Sequence, residues 1–394
     1  MAVLVLVLIV VAAGLFATVR LRAPDPAPTV TSVLDGTVTL HSGPVSLPWP
    51  QVGMAAVAIP SIGVDMASAP EQPQPVASLT KLMTAYVILH DHPLQLGQPG
   101  PSITVTQADV DDYDEDTVSD NSNAQVAVGE QIPEVQVLGG LLIHSADNFA
   151  DLLARWDAGS EAAFVAEMNE DAAKLGMTQS HFADPSGVAS GSQSTPYDLL
   201  KVTALDMTDP VFASLVQQSS ITLPVAGTIS TYTPFLGFDG IIGVKSGFTT
   251  AAGGCDVLAV VRQVHGVPTL LLAAVTGQQG PNVLAQAGLH ALALVTAMTP
   301  VVGVTPVLHQ GQVVAHVSEA GQTVMASGTA TASLLTWPGA KATMVFHPVA
   351  HLTDRAPRGA MVGTVDVTLG TQHASVPVRL QQDLSQPTML QRLF

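Results

Sequence analysis

The sequence predicts a mixed α and β fold, and three of its features indicate this class. Apolar residues recur at helical spacing from Ser78 onward. Two apolar runs within residues 256–276 are separated by a short turn, as in a β-hairpin. After Pro300 the chain consists of short apolar stretches between Gly, Pro and polar turns, so residues 301–394 are predicted as a small all-β domain.

Residues 1–22 are predicted to form a signal anchor or a signal peptide. The run from Ala2 to Val19 is almost purely apolar, and as a helix it would span about 27 Å, close to the hydrocarbon thickness of a bilayer. No clear small-residue cleavage motif precedes Arg20, which favours an uncleaved anchor. Either segment places the remaining chain outside the cytoplasm, membrane-anchored or secreted. Residues 23–50 are rich in Pro, Thr and Ser and are predicted as an extracytoplasmic linker.

Residues 51–300 are predicted as one domain that contains both helices and strands. Seven acidic residues lie between Asp109 and Asp120, without the central glycine and final glutamate of an EF-hand calcium loop. We therefore interpret this segment as a solvated loop. Apolar periodicity and Gly or Pro breaks predict the other elements: a strand at 52–60, a helix from 78, helices at 133–143, 148–156, 160–175 and 283–297, and strands from 241 onward.

The composition excludes several classes of function. The formal net charge is −18, which argues against binding to nucleic acid and against electrostatic docking on anionic lipid. The one cysteine, Cys255, has apolar neighbours that favour a buried core position over a catalytic thiol. His90 and His92 alternate along a helix and do not converge, and no HExxH motif occurs. Neither a metal nor another cofactor is therefore expected.

A first chemical motif begins at Ser78 and Lys81. The two residues lie three positions apart at the start of a predicted helix, and therefore on one face of it. A serine hydroxyl is a poor nucleophile until a base removes its proton, and a lysine one turn away can be that base. The simpler alternative is a helix-capping serine beside a surface lysine. No other lysine in the chain has a serine three residues before it.

Two further motifs lie downstream. Lys245, Ser246 and Gly247 are predicted on a strand, where they offer a cation, a hydroxyl for a substrate carboxylate and room for a close backbone approach. Ser145 and Asp147 lie on a predicted turn between two helices, where Ser145 is placed to relay a proton to a leaving amine. Taken separately, an edge-strand lysine and a helix cap explain these two motifs equally simply.

The three motifs together resemble those of the penicillin-binding protein and serine β-lactamase superfamily, which are S-x-x-K, S-x-N and K-[TS]-G in this order. The resemblance covers residues 51–298. Over these residues the sequence is most similar to the low-molecular-mass serine D-alanyl-D-alanine carboxypeptidases. It implies an α/β (α+β) domain of the β-lactamase and transpeptidase type, with an antiparallel sheet covered by helices, followed by the small β domain. The segments that carry it are 75–85, 139–148, 176–187 and 243–253.

The resemblance also implies a reaction in the bacterial cell wall. Ser78 attacks the carbonyl of the penultimate D-alanine of a peptidoglycan stem peptide, the terminal D-alanine leaves, and water hydrolyses the acyl-enzyme. Lys81 and Ser145 complete the catalytic set, and backbone N–H groups of Ser78 and Phe248 form the oxyanion hole. β-Lactam antibiotics acylate the same serine. The residues expected to bind substrate are Asp147, Lys245, Ser246, Gly247, Phe248 and Thr249.

Two departures from the family pattern leave alternatives open. Asp147 occupies the position of the motif asparagine, and an ionised carboxylate only accepts hydrogen bonds and favours the charged form of a nearby lysine. The stretch 268–276 lacks an arginine that relatives often carry there. A non-catalytic cell-wall-binding protein on the same fold is therefore the main alternative, and a D,D-endopeptidase or transpeptidase would use the same residues. A β-lactamase is disfavoured because no glutamate motif for a deacylating water occurs.

Overall fold

The computed structural model describes residues 2–22, 27–40, 43–68, 70–319, 322–353 and 356–385. Within these ranges the α-helices are α1 (Ala2–Arg22), α2 (Thr80–Asp91), α3 (Gln107–Val118), α4 (Glu134–Ile143), α5 (Asp147–Ala158), α6 (Glu161–Lys174), α7 (Pro196–Asp206), α8 (Pro210–Val216) and α9 (Val283–Met298).

The strands of the same ranges belong to six sheets. They are β1 (Thr29–Ser32), β2 (Thr37–Thr39), β3 (Met54–Ile59), β4 (Val64–Ala67), β5 (Gln74–Pro75), β6 (Ser102–Thr104), β7 (Gln131–Pro133), β8 (Gln193–Ser194), β9 (Ser220–Leu223), β10 (Gly227–Ser230), β11 (Ile241–Thr249), β12 (Gly253–Val264), β13 (Val267–Gln278), β14 (Gly303–Leu308), β15 (Val313–Glu319), β16 (Gln322–Gly328), β17 (Ala332–Thr336), β18 (Lys341–Pro348), β19 (Met361–Leu369) and β20 (Gln372–Leu380).

The larger of two compact units, Val45–Val302, is built on a five-stranded antiparallel sheet. Its strand order is β11-β12-β13-β3-β4, and the predicted hairpin is formed by β12 and β13, in which Val264 pairs with Val267. Helix α7 packs against β3 and β13, and α9 packs against β12 and β13. This antiparallel sheet with its covering helices confirms the predicted fold class.

Helix α2 lies at the centre of the helical part of this unit, where it packs against α4, α5, α6 and α7. Its apolar residues at helical spacing, including Leu82, Met83 and Val87, are fully buried. Each such side chain contributes about 1.5–3 kcal/mol through burial. The packing fixes the start of α2, and it therefore fixes Ser78 and Lys81.

The acidic segment forms helix α3 and not the predicted solvated loop. Thr106 and Asp109 form a capping box at its beginning, which satisfies backbone N–H groups that would otherwise lack partners. Arg155 of α5 pairs with Asp109 (2.6 Å) and with Asp112, so part of the charge repulsion is offset. The sequence did not show this because the cation lies far from the helix along the chain.

The smaller unit, Met1–Pro44 with Gly303–Phe394, contains a seven-stranded sheet in the order β1-β15-β16-β20-β19-β18-β2 and a separate pair, β14-β17. The predicted linker is therefore wrong for residues 29–39, because β1 pairs with β15 and β2 pairs with β18. Alternating Thr and Val favour strands there, and Val30 and Val38 pack against this unit's apolar core. Residues 23–26 and 41–42 of the predicted linker lie outside the described ranges.

Two apolar helices bear on the membrane prediction. Among the described residues, the stretch 283–301 is long and apolar enough to cross a bilayer, but α9 buries one face, including Ala291, Leu294 and Val295, and is a core helix. Helix α1 is continuous over 21 residues, a length of about 32 Å. Its place in a membrane stays a prediction.

Candidate active site

Ser78 lies in a short 3-10 helix, Ala77–Leu79, that leads directly into α2. Two glycines allow other segments of the chain to pack tightly against the backbone around Ser78. A Cβ atom at Gly187 would overlap the carbonyl oxygen of Ala77, and one at Gly247 would lie 2.7 Å from the backbone nitrogen of Ser78. Ala77 itself has a φ of 50°, a conformation that costs about 1–3 kcal/mol and clusters at functional sites. The backbone of Ser78 is thus held from both sides.

Lys81 is completely buried, and its amine points back toward Ser78. Its Nζ donates to Ser78 Oγ (3.0 Å) and to the carbonyl oxygen of Ser186 (2.8 Å). It also forms a close ion pair with the carboxylate of Asp147. Three partners match the three N–H bonds of an ammonium group. The sequence prediction that Ser78 and Lys81 share one face is confirmed.

Asp147 begins α5 and is 4% exposed. Burial raises the pKa of its carboxyl, and the neighbouring charge of Lys81 partly opposes that change. The next residue, Asn148, is directed elsewhere, because its amide bonds the backbone N–H (3.0 Å) and carbonyl (2.9 Å) of Ala124. The carboxylate of Asp147, and not the amide of Asn148, therefore occupies the site.

A second buried lysine lies on β11. Lys245 Nζ donates to Ser145 Oγ (2.8 Å) and to the carbonyl oxygen of Ser246 (2.7 Å). Burial, and then the charge of Lys81, lower the pKa of Lys245 well below its usual range. Ser145 lies on the predicted turn between α4 and α5, with a φ of 63°. The structure thus brings together the three motifs that the sequence separates by up to 167 positions, Ser78 to Lys245.

These groups surround an open cleft of about 240 Å³. Phe248 is 54% exposed at its rim. Thr249 Oγ1 accepts a hydrogen bond from the backbone of Ala252 (3.1 Å), which leaves its own O–H free to donate. The predicted site residues that line the cleft are Ser78, Ser145, Asp147, Ser246, Gly247, Phe248 and Thr249, while both lysines contact it from behind.

Two residues of the site were missed from the sequence. Ser186 binds Lys81 through its carbonyl oxygen, and the only signal was its place in the family-like segment 176–187. Tyr232 lines the cleft, stacks on His144 with ring centroids 4.8 Å apart, and accepts a hydrogen bond from Ser246 Oγ at its carbonyl (2.9 Å). Nothing in the sequence around Tyr232 indicated this role.

Other candidates from the sequence lie away from the cleft. Arg262 pairs with Asp239 (2.6 Å) and does not line the cleft, so it does not replace the missing arginine. Cys255 is fully buried, and burial raises the pKa of its thiol to about 12, as expected for a core residue. Within the described ranges, the carboxylates of Asp91, Asp157 and Glu167 lie close enough together to hold one metal ion. Acidic groups often cluster at a surface without an ion, so this cluster by itself does not indicate a metal site.

The comparisons with known proteins agree with this geometry. Residues 63–276, more than half of the chain, match the Peptidase S11 family, D-alanyl-D-alanine carboxypeptidase. The chain belongs to this family. The predicted function, a serine-type D-alanyl-D-alanine carboxypeptidase and thus a hydrolase, is confirmed at the level of the family.

Individual relatives of the family show how far the likeness extends. The D-alanyl-D-alanine carboxypeptidase of Streptomyces sp. (strain K15) is 31% identical over 47% of this chain and 67% of its own length. The D-alanyl-D-alanine endopeptidase of Escherichia coli (strain K12) is 30% identical over 52% of this chain and 64% of its own. The crystal structure of penicillin-binding protein 5 from Haemophilus influenzae, at 18% identity, has a TM-score of 0.61 and covers 87% of this chain and 100% of that one.

Proposed function

We propose that this chain removes the terminal D-alanine from peptidoglycan stem peptides through an acyl-enzyme on Ser78, and that β-lactams acylate the same residue. The observation that carries the proposal is the 3.0 Å contact between Ser78 Oγ and the buried amine of Lys81, in a cleft that a second lysine–serine pair adjoins. A binding protein would not need two buried lysines, since burying a cation costs several kcal/mol.

The first step is attack on the penultimate peptide carbonyl. The neutral form of Lys81 is the base: as Ser78 Oγ bonds to the carbonyl carbon, its proton passes to the free amine of Lys81, and the carboxylate of Asp147 balances the resulting charge. The developing oxyanion is stabilised by backbone N–H groups of Ser78 and Phe248. Gly247, which lies against the Ser78 backbone, allows the strand to approach closely enough for this.

The leaving amine must then receive a proton as the C–N bond breaks. Burial lowers the pKa of Lys245 well below its usual range, so this amine passes a proton on more readily than an exposed lysine does. Its 2.8 Å contact with Ser145 places the hydroxyl as the relay to the leaving nitrogen. Water then hydrolyses the ester, and the same groups return the proton to Ser78.

The substrate carboxylate is proposed to bind without an arginine. The free O–H of Thr249 supports this role, whereas Ser246 already donates to the carbonyl oxygen of Tyr232. Asp147 balances charge on Lys81 in this proposal, and its contact with the substrate is secondary.

The place of action is outside the cytoplasmic membrane, where peptidoglycan lies. The continuous helix α1 supports an N-terminal membrane anchor. A D,D-endopeptidase is the second candidate, because the relative from Escherichia coli carries that name and the same acyl-enzyme would serve it.

The test uses the full chain in detergent, together with Ser78→Ala. We expect a fluorescent penicillin to label the parent covalently and not the variant, and the parent to release D-alanine from diacetyl-L-lysyl-D-alanyl-D-alanine. Labelling of the folded Ser78→Ala variant, or no labelling of the folded parent, would contradict the proposal. Cleavage of cross-linked peptidoglycan fragments into separate stem peptides, without release of free D-alanine, would favour the endopeptidase.

A further inference from the structure

Residues 230–232, the bridging segment, begin where β10 ends and lie against the end of α4. The Nδ1–H of His144 donates to the carbonyl oxygen of Ser230 (2.7 Å). The backbone N–H of Tyr232 donates to the carbonyl oxygen of Ile143 (3.3 Å). The rings of His144 and Tyr232 also stack, with 4.8 Å between their centroids and 29° between their planes. Three contacts thus join this segment to the two residues that precede the turn between α4 and α5.

The bridging segment is also bonded to the strand that carries the second buried lysine. The carbonyl oxygen of Tyr232 accepts a hydrogen bond from Ser246 Oγ (2.9 Å), and Ser246 directly follows Lys245 in β11. Lys245 Nζ in turn donates to Ser145 Oγ (2.8 Å). The segment therefore connects the same two elements that this lysine–serine hydrogen bond joins, and its contacts lie one residue away from each partner.

Ser145 requires such support because its backbone conformation is uncommon. Its φ of 63° lies in the left-handed region, which residues other than Gly, Asn and Asp rarely adopt. A conformation of this kind persists only where the surrounding contacts hold it. His144 is the residue immediately before Ser145, so its stack and its hydrogen bond act directly on the entry to this turn.

The stack lies at the surface of the domain and not in its core. Tyr232 is 48% exposed and lines the cleft, and His144 is half-buried. Substitution of an exposed side chain usually has little effect on stability. The two rings are therefore accessible to mutation in a folded chain, and a loss of activity can be assigned to the contacts that they make.

We infer that His144 and Tyr232 are positioning residues for the proton relay, because their stack holds Ser145 within hydrogen-bond distance of Lys245. The inference rests on the proposed function and deepens it for the step in which the C–N bond breaks. In that step the electron pair of the C–N bond stays on the leaving nitrogen, which takes the proton of Ser145 Oγ. The ammonium group of Lys245 then returns a proton to Ser145.

The test compares two substrates whose leaving groups differ in their need for a proton. Diacetyl-L-lysyl-D-alanyl-D-alanine loses an amine, which must be protonated as it leaves. The analogue with D-thiolactate in place of the terminal D-alanine loses a thiolate, which is stable as an anion. A weakened relay should therefore slow the peptide much more than the thioester. The ratio of the two kcat/KM values, peptide over thioester, is independent of the fraction of folded enzyme.

In the full-length chain, Tyr232→Ala and His144→Ala should each lower this ratio about tenfold, which is part of the 10²–10⁴-fold that general acid catalysis contributes. Because either change removes the same stack, the double variant should fall no further than His144→Ala alone. Tyr232→Phe keeps the stacking ring and should keep the wild-type ratio. Phe238→Ala is the matched control, since Phe238 is an aromatic residue of the same loop, 62% exposed, that does not line the cleft.

Three results would overturn the inference. The first is an unchanged ratio in Tyr232→Ala and His144→Ala, or an equal fall in Phe238→Ala. The second is a fall in Tyr232→Phe as large as that in Tyr232→Ala, since the phenol hydroxyl would then act on the substrate. The third is a double variant in which the two losses multiply, since the two rings would then act separately. A wild-type chain that turns over neither substrate would refute the proposed function, and this inference with it.

Discussion

The two lysines of the active site are equally buried but have different partners. Lys81 contacts the carboxylate of Asp147, whereas the hydrogen-bond partners of Lys245 in the described part of the chain are neutral oxygens, those of Ser145 and Ser246. A carboxylate stabilises positive charge on a neighbouring amine, and burial without one favours the neutral amine. The difference teaches that one motif residue, aspartate in place of asparagine, is enough to give two similarly buried lysines different electrostatic surroundings.

The largest expected effect comes from moving Ser78 away from Lys81 without changing either side chain. Gly187→Ala would place a Cβ against the Ala77 carbonyl and displace the nucleophile. We expect labelling by fluorescent penicillin to slow by about 10²-fold, the usual cost of a displacement near 1 Å. Gly176→Ala is the control, since it has a similar positive φ of 70° but no atom within 4 Å. It should cost about 1 kcal/mol of stability and leave labelling intact; equal rates in both variants would contradict the tight packing.

A smaller effect is expected when the two lysines are made alike. Asp147→Asn removes the charge from the contact with Lys81 and restores the motif amide. Labelling at neutral pH should accelerate by about tenfold, because only the free amine accepts the Ser78 proton and a carboxylate opposes that form. The rates of labelling of the parent and of Asp147→Asn, compared from about pH 6 to 9, measure this acceleration. Asp120→Asn changes the same charge on the cleft rim and should have little effect. Slower labelling of Asp147→Asn at every pH would show that the substrate needs the carboxylate.

The smallest effect on acylation is expected from the carboxyl near Lys245. Asp256 pairs with Ser246 across the sheet and is 1% exposed, and neither of its oxygens has a hydrogen-bond partner among the described residues. Burial raises its pKa well above the usual 3.8. Labelling by Asp256→Asn should change by less than about twofold, because the burial that raises the pKa of this carboxyl favours its neutral form, which an amide resembles in charge.

The same variant should change stability with a defined sign. A carboxyl whose folded pKa is raised contributes its stability fully below the unfolded pKa and loses it as the pH rises. Asn stays neutral, so the stability of Asp256→Asn should rise relative to that of the parent from about pH 4 to 7, by up to about 1.4 kcal/mol per pH unit while the folded carboxyl keeps its proton. Urea unfolding midpoints at both ends of this range measure the gain. A gain that is equal at both ends would contradict a raised pKa at Asp256.

Elements with local signals were predicted well. The helical spacing after Ser78, the hairpin around Gly266 and the turn that carries Ser145 are all present, because periodicity and turn residues act over a few positions. The acidic helix α3 and the strands β1 and β2 were not predicted, because Arg155 and the partner strands lie far away along the chain. Only folding shows which distant group offsets a local charge or pairs a short strand.

The sequence by itself determined the fold class and the family, and it indicated the groups that we propose to react, since these depend on residue types at fixed spacings. The tertiary structure decided which of Asp147 and Asn148 faces Lys81, and which serine each lysine contacts. The physical reason is that hydrogen bonds and charge interactions depend on distances and directions of a few ångströms. A one-residue shift around a turn reverses such a direction, and spacing along the chain does not record it.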